Sequence, residues 1–217
     1  MKYIKKGKAP AGLEKYALRK DATYLDLGYD EPLVKDALRE TLLKEQGYIC
    51  GYCGSRIDDA HSVIEHVKCR SNYPYLQLEY MNMICSCYGG QNMRSKNPRH
   101  PLHCDAHKGN QDIPVSPLDS WCGDLFVYDD IGGIHDNNSA DADTTIIVLN
   151  LNNAKLKNRR KAAIEAYKYL TDEDTDWLIE LQSLYNYQET GKHAEFCFVL
   201  EYYIRNYRMP AADINAP

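Results

Sequence analysis

The sequence predicts an α+β fold: a helical segment at the N-terminus, a cysteine-rich centre with short strands, and a β-hairpin followed by helices. Three observations support this order. Six of the eight cysteines and five of the seven histidines fall between Cys50 and Lys108, a density that core packing does not explain. Apolar residues recur at helical spacing over residues 33–46 and 154–170. Residues 125–128, followed by a Gly-rich turn, predict a hairpin.

The composition narrows the class of protein. Of the 217 residues, 44% are hydrophobic and 26% are charged, which is ordinary for a globular chain. No apolar run approaches the roughly 20 residues that cross a bilayer, and the basic N-terminus lacks the apolar region of a secretory signal. We therefore expect a cytoplasmic protein with no membrane partner. In that reducing compartment, clustered cysteines hold metal more often than they form disulfides.

The charge of the chain bears on nucleic-acid binding. The formal net charge is -5 at pH 7, whereas a dedicated nucleic-acid-binding protein usually carries a basic surplus. That surplus matters because phosphate contacts supply most of the affinity. If the chain acts on nucleic acid, it does so through a local basic patch or with a partner that holds the substrate.

We divide the chain at the edges of the cysteine-rich centre. Residues 1–46 comprise a basic arm and a helix over residues 33–46, which ends at Gly47. Residues 47–112 form the centre. Residues 113–217 form the C-terminal hairpin and helical region, which we expect to pack with the centre as one compact unit.

Further elements are expected on both sides of the hairpin. Within the centre, the pattern predicts two strands joined by a polar turn over residues 54–68 and a loop over residues 70–79. It then predicts an exposed basic loop over residues 89–103 and the start of a short helix over residues 104–110. After the hairpin, the pattern predicts a short strand or a lead-in to a helix over residues 144–151. Besides the helix over residues 154–170, it predicts two more, over residues 172–187 and 195–207.

The cysteine spacing predicts a metal site. Cys50-Gly-Tyr-Cys53, followed by glycine, has the form of a zinc knuckle, a tight turn that leaves two thiolates facing one metal. Zinc prefers four ligands in a tetrahedron, so a second pair must come from Cys85, Cys87 and Cys104. We favour Cys87 with Cys104 and expect Cys85 to point into the core. A redox dithiol is the alternative interpretation, but it does not need the later cysteines.

A carboxylate and an imidazole stand side by side at Glu65 and His66. Adjacent strand residues point to opposite faces, but a kinked backbone can bring both near one divalent ion. There the imidazole can activate water while the metal stabilises the leaving oxygen of a phosphodiester. Such a pair alone is more often a surface pair, and its place within the cysteine cluster favours catalysis. Cys69, Cys122 and Cys197 are isolated and are expected to be buried as small hydrophobes.

Five motifs of the centre follow one another in a fixed order: CGYC at 50–53, IEHV at 64–67, Asn82, Cys87 and CDAHKG at 104–109. In this order they resemble the HNH, or ββα-metal, endonucleases. Within that family, the chain resembles more closely the HNH subunit of the Septu antiphage system (PtuB), a group also found with retrons. The matching motifs are Tyr80-Met-Asn82, Ser86-Cys87 and Cys104 to Gly109. The likeness continues through FVYDDIGGI and LNLNNAKLKNRR. It implies a zinc-stapled ββα-metal core and metal-dependent hydrolysis of phosphodiester bonds.

The resemblance also implies roles for individual residues. His66 would be the general base for water, and Asn82 would brace the loop that orients it. Glu65 and Asp105 would bind the catalytic ion, Mg²⁺ or Mn²⁺, beside the structural Zn²⁺. Lys108 would face a substrate phosphate.

The chain departs from the family pattern at two positions. The family usually has Asn or His where Asp105 stands, so His107 or His103 is the alternative ligand of the catalytic ion. Cys69 stands where a proline is common, shortly after the catalytic histidine. These departures affect the metal ligands and leave the expected fold unchanged.

The resemblance implies partners as well. They are a PtuA-like ATPase subunit that recognises or gates, a nucleic-acid substrate and, in retron versions, a reverse transcriptase with its RNA–DNA product. Two other functions stay open. A non-catalytic zinc adaptor would need the cysteines but not His66, and a nuclease directed at RNA would use the same metal and base as one that cuts DNA.

Overall fold

The structure, a computed structural model, describes residues 1–94, 96–170 and 191–207. Its helices are α1 (Ala11–Ala17), α2 (Tyr24–Asp30), α3 (Pro32–Glu45), α4 (Gln91–Arg94), α5 (Asp105–Lys108), α6 (Ala140–Val148), α7 (Ala154–Leu170) and α8 (Cys197–Tyr207). Its strands are β1 (Val63–His66), β2 (Met83–Ser86), β3 (Phe126–Tyr128) and β4 (Ile134–Asp136). Helices thus accompany small antiparallel sheets, β1–β2 and β3–β4, and the α+β class is confirmed.

Helix α3 lies within one residue of the helix expected over residues 33–46. Pro32 is tolerated in its first turn, where the amide has no intrahelical acceptor. Gly47 follows the helix with φ 58, a left-handed conformation that glycine adopts without strain. Leu38 and Leu42 are fully buried, so the helix presents one apolar face to the core.

The short helices α1 and α2 were not predicted. Each has seven residues, a length at which an isolated helix is unstable in water. Leu13, Tyr16 and Leu27 are almost fully buried and anchor the two helices in the core. Tertiary packing therefore stabilises these two helices, and their local sequence pattern is too weak to predict them.

The strand that carries Glu65 pairs differently from the expectation. Residues 54–68 do not form a hairpin, because β1 is antiparallel to β2, with Glu65 opposite Ile84. All four residues of β2 are buried, whereas residues 58–61 are exposed. Pairing with β2 places β1 against the apolar core, and a local hairpin with the polar segment would leave it exposed to water.

The buried side chain of Gln46 ties the end of α3 to β2. Its Nε2 donates to the carbonyl oxygens of Ile49 at 2.9 Å and Cys85 at 2.8 Å, and its Oε1 accepts from the Cys85 amide at 2.6 Å. One side chain thus satisfies three backbone groups and fixes the start of the cysteine turn beside β2.

We expect Gln46→Ala to lower the free energy of unfolding by about 3 kcal/mol, because each buried polar group left unpaired costs about 1–3 kcal/mol. Urea unfolding of the zinc-loaded protein measures this loss. Gln111→Ala is the matched control, since Gln111 is exposed, and should leave the stability unchanged. A loss for Gln46→Ala as small as that of the control would contradict the bracing role.

The C-terminal elements agree with the sequence in type. The hairpin β3–β4 and helix α7 lie where they were expected, and α8 begins two residues later than residue 195. Residues 144–148 prove to be helical, as the second half of α6, and residues 149–151 form a turn after it. Ser139 caps this helix by accepting from the Ala142 amide at 3.3 Å. The helix expected over residues 172–187 lies outside the described residues.

The hairpin turn docks on α7 through the two C-terminal segments that carry the resemblance. A Cβ atom at Gly132, where φ is 78, would lie 2.1 Å from the carbonyl oxygen of Lys157. The buried side chain of Arg160 donates to the carbonyl oxygens of Gly132 at 2.7 Å and Leu151 at 2.8 Å. These segments are therefore structural, because they join the hairpin to the helices behind it.

The apolar core includes residues from all three parts of the chain, for example Leu13, Ile84 and Tyr203. The division at residues 46 and 112 stays a prediction. Within the described residues, no helix combines the length and apolar character that crossing a membrane requires.

Candidate metal centre and active-site cleft

Four cysteine sulfurs converge on one point. The Sγ atoms of Cys50, Cys53, Cys87 and Cys104 all lie within 4.8 Å of one another. Cys50 Sγ is 3.9 Å from Cys104 Sγ, and Cys53 Sγ is 3.9 Å from Cys87 Sγ. Sulfurs placed tetrahedrally at a Zn–S distance of about 2.3 Å lie about 3.8 Å apart, so the cluster has the size that a zinc ion needs.

The structure brings together the four cysteines that the sequence favoured. Cys85 is fully buried elsewhere, with its Sγ 3.8 Å from the Arg39 carbonyl oxygen. Cys85 lies inside β2, whereas Cys87 follows the strand's last residue, where strict alternation no longer applies. The identity of the ion that the cluster holds stays a prediction.

The backbone around the cluster is shaped for metal ligation. The Cys87 amide points at Cys50 Sγ at 3.3 Å. Cys104 has φ 53, a conformation rare for a side chain with a Cβ, and its amide is fixed by the Leu149 carbonyl at 2.9 Å. Burial raises the pKa of the Cys104 thiol well above its usual range, because desolvation disfavours the thiolate. A divalent cation among the four sulfurs would supply the charge that offsets this effect.

A cleft of about 580 Å³ contains Glu65, His66 and Asp105. Glu65 and His66 line the same cleft although they are adjacent in sequence, since His66 is the last residue of β1. Asp105 reaches the cleft from the first turn of α5, directly after Cys104. Along the chain, the last cysteine of the cluster therefore immediately precedes one of the cleft's carboxylates.

The tautomer of His66 follows from its hydrogen bond. Its Nε2 lies 2.9 Å from the carbonyl oxygen of Gln77, which can only accept, so Nε2 carries the proton and Nδ1 is the basic atom. The ring packs edge-on against Tyr24, with centroids 4.5 Å apart. Burial lowers the pKa of His66 to about 4, so the imidazole is neutral near pH 7 and can accept a proton.

Asn82 holds the chain that follows His66. Its Oδ1 accepts from the Lys68 amide at 2.8 Å, and its Nδ2 donates to the Lys68 carbonyl at 2.9 Å. Its own carbonyl accepts from the Val67 amide at 2.9 Å. These contacts give the geometry that bracing the loop beside His66 requires.

Glu65 and Asp105 offer a donor set that fits a hard divalent cation. Burial raises the pKa of Glu65 to about 7, and the neighbouring Asp105 carboxylate adds to the rise. A cation between the two groups would relieve this repulsion. Carboxylate oxygens are the ligands that Mg²⁺ and Mn²⁺ prefer.

The structure buries Lys108, whereas the resemblance implied that it would face a substrate phosphate. Its side chain is fully buried, and its Nζ lies 2.8 Å from Glu65 Oε1 and 3.2 Å from the His66 carbonyl oxygen. Lys108 follows Asp105 by three residues on one helical turn, so both side chains extend from the same face. Its charge is neutralised by Glu65 beneath the cleft.

The alternative ligands lie elsewhere than expected. His107 is exposed and does not line the cleft, and its Nδ1 is 2.9 Å from the Val148 carbonyl oxygen. His103 is buried beside the cysteine cluster, with its Nδ1 3.2 Å from Cys104 Sγ and 3.9 Å from Cys87 Sγ. Of these candidates, Asp105 is the one that lines the cleft with Glu65.

The sequence did not predict the roles of Tyr52 and Gln77. Tyr52 donates its hydroxyl to Glu65 Oε1 at 3.0 Å, and Gln77 orients His66 through its backbone. Arg70 lines the cleft, with its guanidinium 4.9 Å from the centre of the Tyr24 ring. The position of Tyr52 between two predicted metal ligands was a signal that could have identified it. Gln77 gave no such signal, because it acts through its backbone carbonyl and any residue has one.

No protein-family model matches the chain. A curated protein of Vibrio cholerae serotype O1 biovar El Tor, named "Retron Vc95 putative HNH endonuclease", is 28% identical over 173 residues. The match covers 74% of this chain and 81% of the relative. Over most of its length, the chain is therefore similar to a protein named as an HNH endonuclease of retron type.

Proposed function

We propose that this chain is a metal-dependent HNH endonuclease that hydrolyses phosphodiester bonds of nucleic acid. The observation that carries the proposal is the meeting of neutral His66 with Glu65 and Asp105 in one cleft, next to a four-cysteine cluster of zinc size. In this proposal β1, β2 and α5 form the ββα-metal core. The likeness to the retron protein supports the same reaction class.

In the proposed reaction, His66 Nδ1 removes a proton from water as the water oxygen attacks phosphorus. The Nε2–Gln77 bond keeps the ring oriented while the imidazole becomes an imidazolium, because Nε2 remains the donor. Glu65 and Asp105 would hold Mg²⁺ or Mn²⁺, which when bound stabilises the charge on the leaving oxygen. The phosphorus–oxygen bond then breaks, and the leaving oxygen takes up a proton from water.

The cysteine cluster would hold a structural Zn²⁺ that positions the cleft. Cys87 follows β2 and Cys104 precedes Asp105, so one ion joins the sheet to the helix that carries a catalytic carboxylate. The long connection between these two cysteines, residues 88–103, can then vary in conformation without displacing Asp105. We assign zinc a structural role for this reason, since four protein ligands leave no position for water.

The assay for the nuclease uses DNA and total RNA as separate substrates. The purified complex of this chain with its expected ATPase partner is incubated with each substrate in Mg²⁺ or Mn²⁺. The same complex with His66→Ala is assayed beside it. Cleavage of either substrate that depends on both the metal and His66 supports the proposal. Cleavage of RNA alone would redirect it to an RNA nuclease.

We further propose that the chain is the effector subunit of an antiphage complex with a PtuA-like ATPase. In retron versions, a reverse transcriptase and its RNA–DNA product would belong to the same assembly. The charge supports dependence on a partner, since the chain carries -5 and repels a polyanion at long range. Near the cleft, Lys68 is paired with Asp112 at 3.4 Å and Lys108 with Glu65 at 2.8 Å. Among the described residues, Arg70 is then the one cationic side chain that lines the cleft, which is little basic charge for duplex binding.

We expect the isolated chain to cut nucleic acid slowly and the ATPase complex to cut faster at equal concentration and salt. The reason is that substrate binding, rather than chemistry, limits a negatively charged subunit. Initial rates with and without the ATPase measure the difference, and a complex with His66→Ala shows that the gain comes from this cleft. Equal rates for the isolated chain and the complex would refute the gating.

A further inference from the structure

One hydroxyl connects the cysteine turn to the cleft. Tyr52 lies between Cys50 and Cys53 and is 1% exposed. Its hydroxyl donates to Glu65 Oε1 at 3.0 Å. Lys108 Nζ lies 2.8 Å from the same oxygen, so both donors act on Oε1 and neither on Oε2.

We propose that Tyr52 is a positioning residue that fixes the Glu65 carboxylate, with Oε2 left to bind the catalytic cation beside Asp105. This inference rests on the proposed function. Lys108 alone would not fix the carboxylate, because an ammonium is a point charge that tolerates rotation of the group it pairs with. A hydroxyl donor on a rigid turn adds a second, directional hydrogen bond that fixes the orientation of the carboxylate. A hydrogen bond to a carboxylate is also charge-assisted.

The turn that carries Tyr52 is rigid because of its own contacts. The Gly54 amide donates to the Cys50 carbonyl at 3.0 Å, and the Cys50 amide donates to the Ser55 carbonyl at 2.8 Å. Zinc bound to Cys50 and Cys53 would hold both ends of the dipeptide that contains Tyr52. The structural ion would thus influence the catalytic ion twice, through Tyr52 to Glu65 and through Cys104 to Asp105.

Tyr52→Phe tests the inference because it removes the hydroxyl and keeps the buried ring. The probe is Mn²⁺, titrated into the full-length, zinc-loaded chain and followed by electron paramagnetic resonance. We expect the Mn²⁺ affinity to fall about tenfold, since the loss of a group that orients a metal ligand typically costs 10–100-fold. The zinc content should match that of the wild type, and in the ATPase complex the cleavage rate should recover as Mn²⁺ is raised.

Tyr16→Phe is the matched control. Tyr16 is also 1% exposed, and its hydroxyl also donates to a carboxylate, Asp30, at 3.2 Å. It lies outside the cleft, so the variant should bind Mn²⁺ and cleave as the wild type does. Glu65→Gln completes a double-mutant cycle with Tyr52→Phe, in which the second change should add little to the loss caused by Glu65→Gln.

The outcomes separate this inference from the nuclease proposal. Equal Mn²⁺ affinity in Tyr52→Phe and in a wild type that cleaves would overturn the positioning role alone. So would an equal loss in Tyr16→Phe, because that points to general destabilisation. A wild type that neither binds Mn²⁺ nor cleaves in the complex overturns the proposed function, and the positioning role with it.

Discussion

Cys53→Ser is expected to unfold or aggregate the protein, and the wild type is expected to contain about one zinc ion per chain. Zinc binding to a four-cysteine site contributes about 10–16 kcal/mol in small zinc domains. The free energy of unfolding of a whole domain is typically about 5–15 kcal/mol. Loss of the ion from a site with only three thiolates therefore removes energy comparable to the entire stability of the fold.

The position of the cluster strengthens this expectation. Its sulfurs are contributed from both sides of β1 and β2, at the turn before β1, after β2 and before α5. Without a cation, the thiols of half-buried Cys87 and buried Cys104 would sit close together with nothing to join them. The segments they belong to would then lose their common attachment.

Elemental analysis and circular dichroism measure the two parts of this prediction. Cys122→Ser is the matched control, since Cys122 is fully buried but lies outside the cluster. It should retain the zinc ion and the fold, at the modest cost of burying a hydroxyl. A zinc-free wild type together with a folded Cys53→Ser variant would refute the metal site.

His66→Ala is expected to abolish nucleic-acid cleavage and leave the fold and partner binding intact. A positioned general base typically contributes about 10²–10⁴ in rate, and no other imidazole lines the cleft among the described residues. The fold should survive because the ring makes one hydrogen bond, and the Gln77 carbonyl it leaves behind lines a cleft that water enters.

The control for this variant is His61→Ala. His61 is exposed and bonded to Asp58 rather than placed in the cleft, so its loss should change neither cleavage nor stability. Zinc content and thermal unfolding verify that both variants keep their structure. Full phage protection by His66→Ala would mean that the nuclease assignment is wrong, and would favour a non-catalytic zinc adaptor.

Local sequence patterns predict the parts of this protein that depend on short-range chemistry. The Cys50–Cys53 spacing predicts half of the four-cysteine cluster, because a tight turn places both sulfurs on one side. Helical periodicity located α3 and α7, since a buried stripe requires that spacing wherever the helix packs. Glycine and alternating apolar residues located the hairpin β3–β4.

Features that depend on contacts between distant segments are set only in the folded chain. The tertiary structure pairs β1 with β2 rather than with its sequence neighbour, because burial of β2 outweighs the ease of a local turn. It also pairs Lys108 with Glu65, 43 residues earlier, whereas the family resemblance implied that Lys108 would face a substrate phosphate. The type of a residue determines which charge or hydrogen bond it can supply. Its partner is fixed only when the chain folds and buries both groups together.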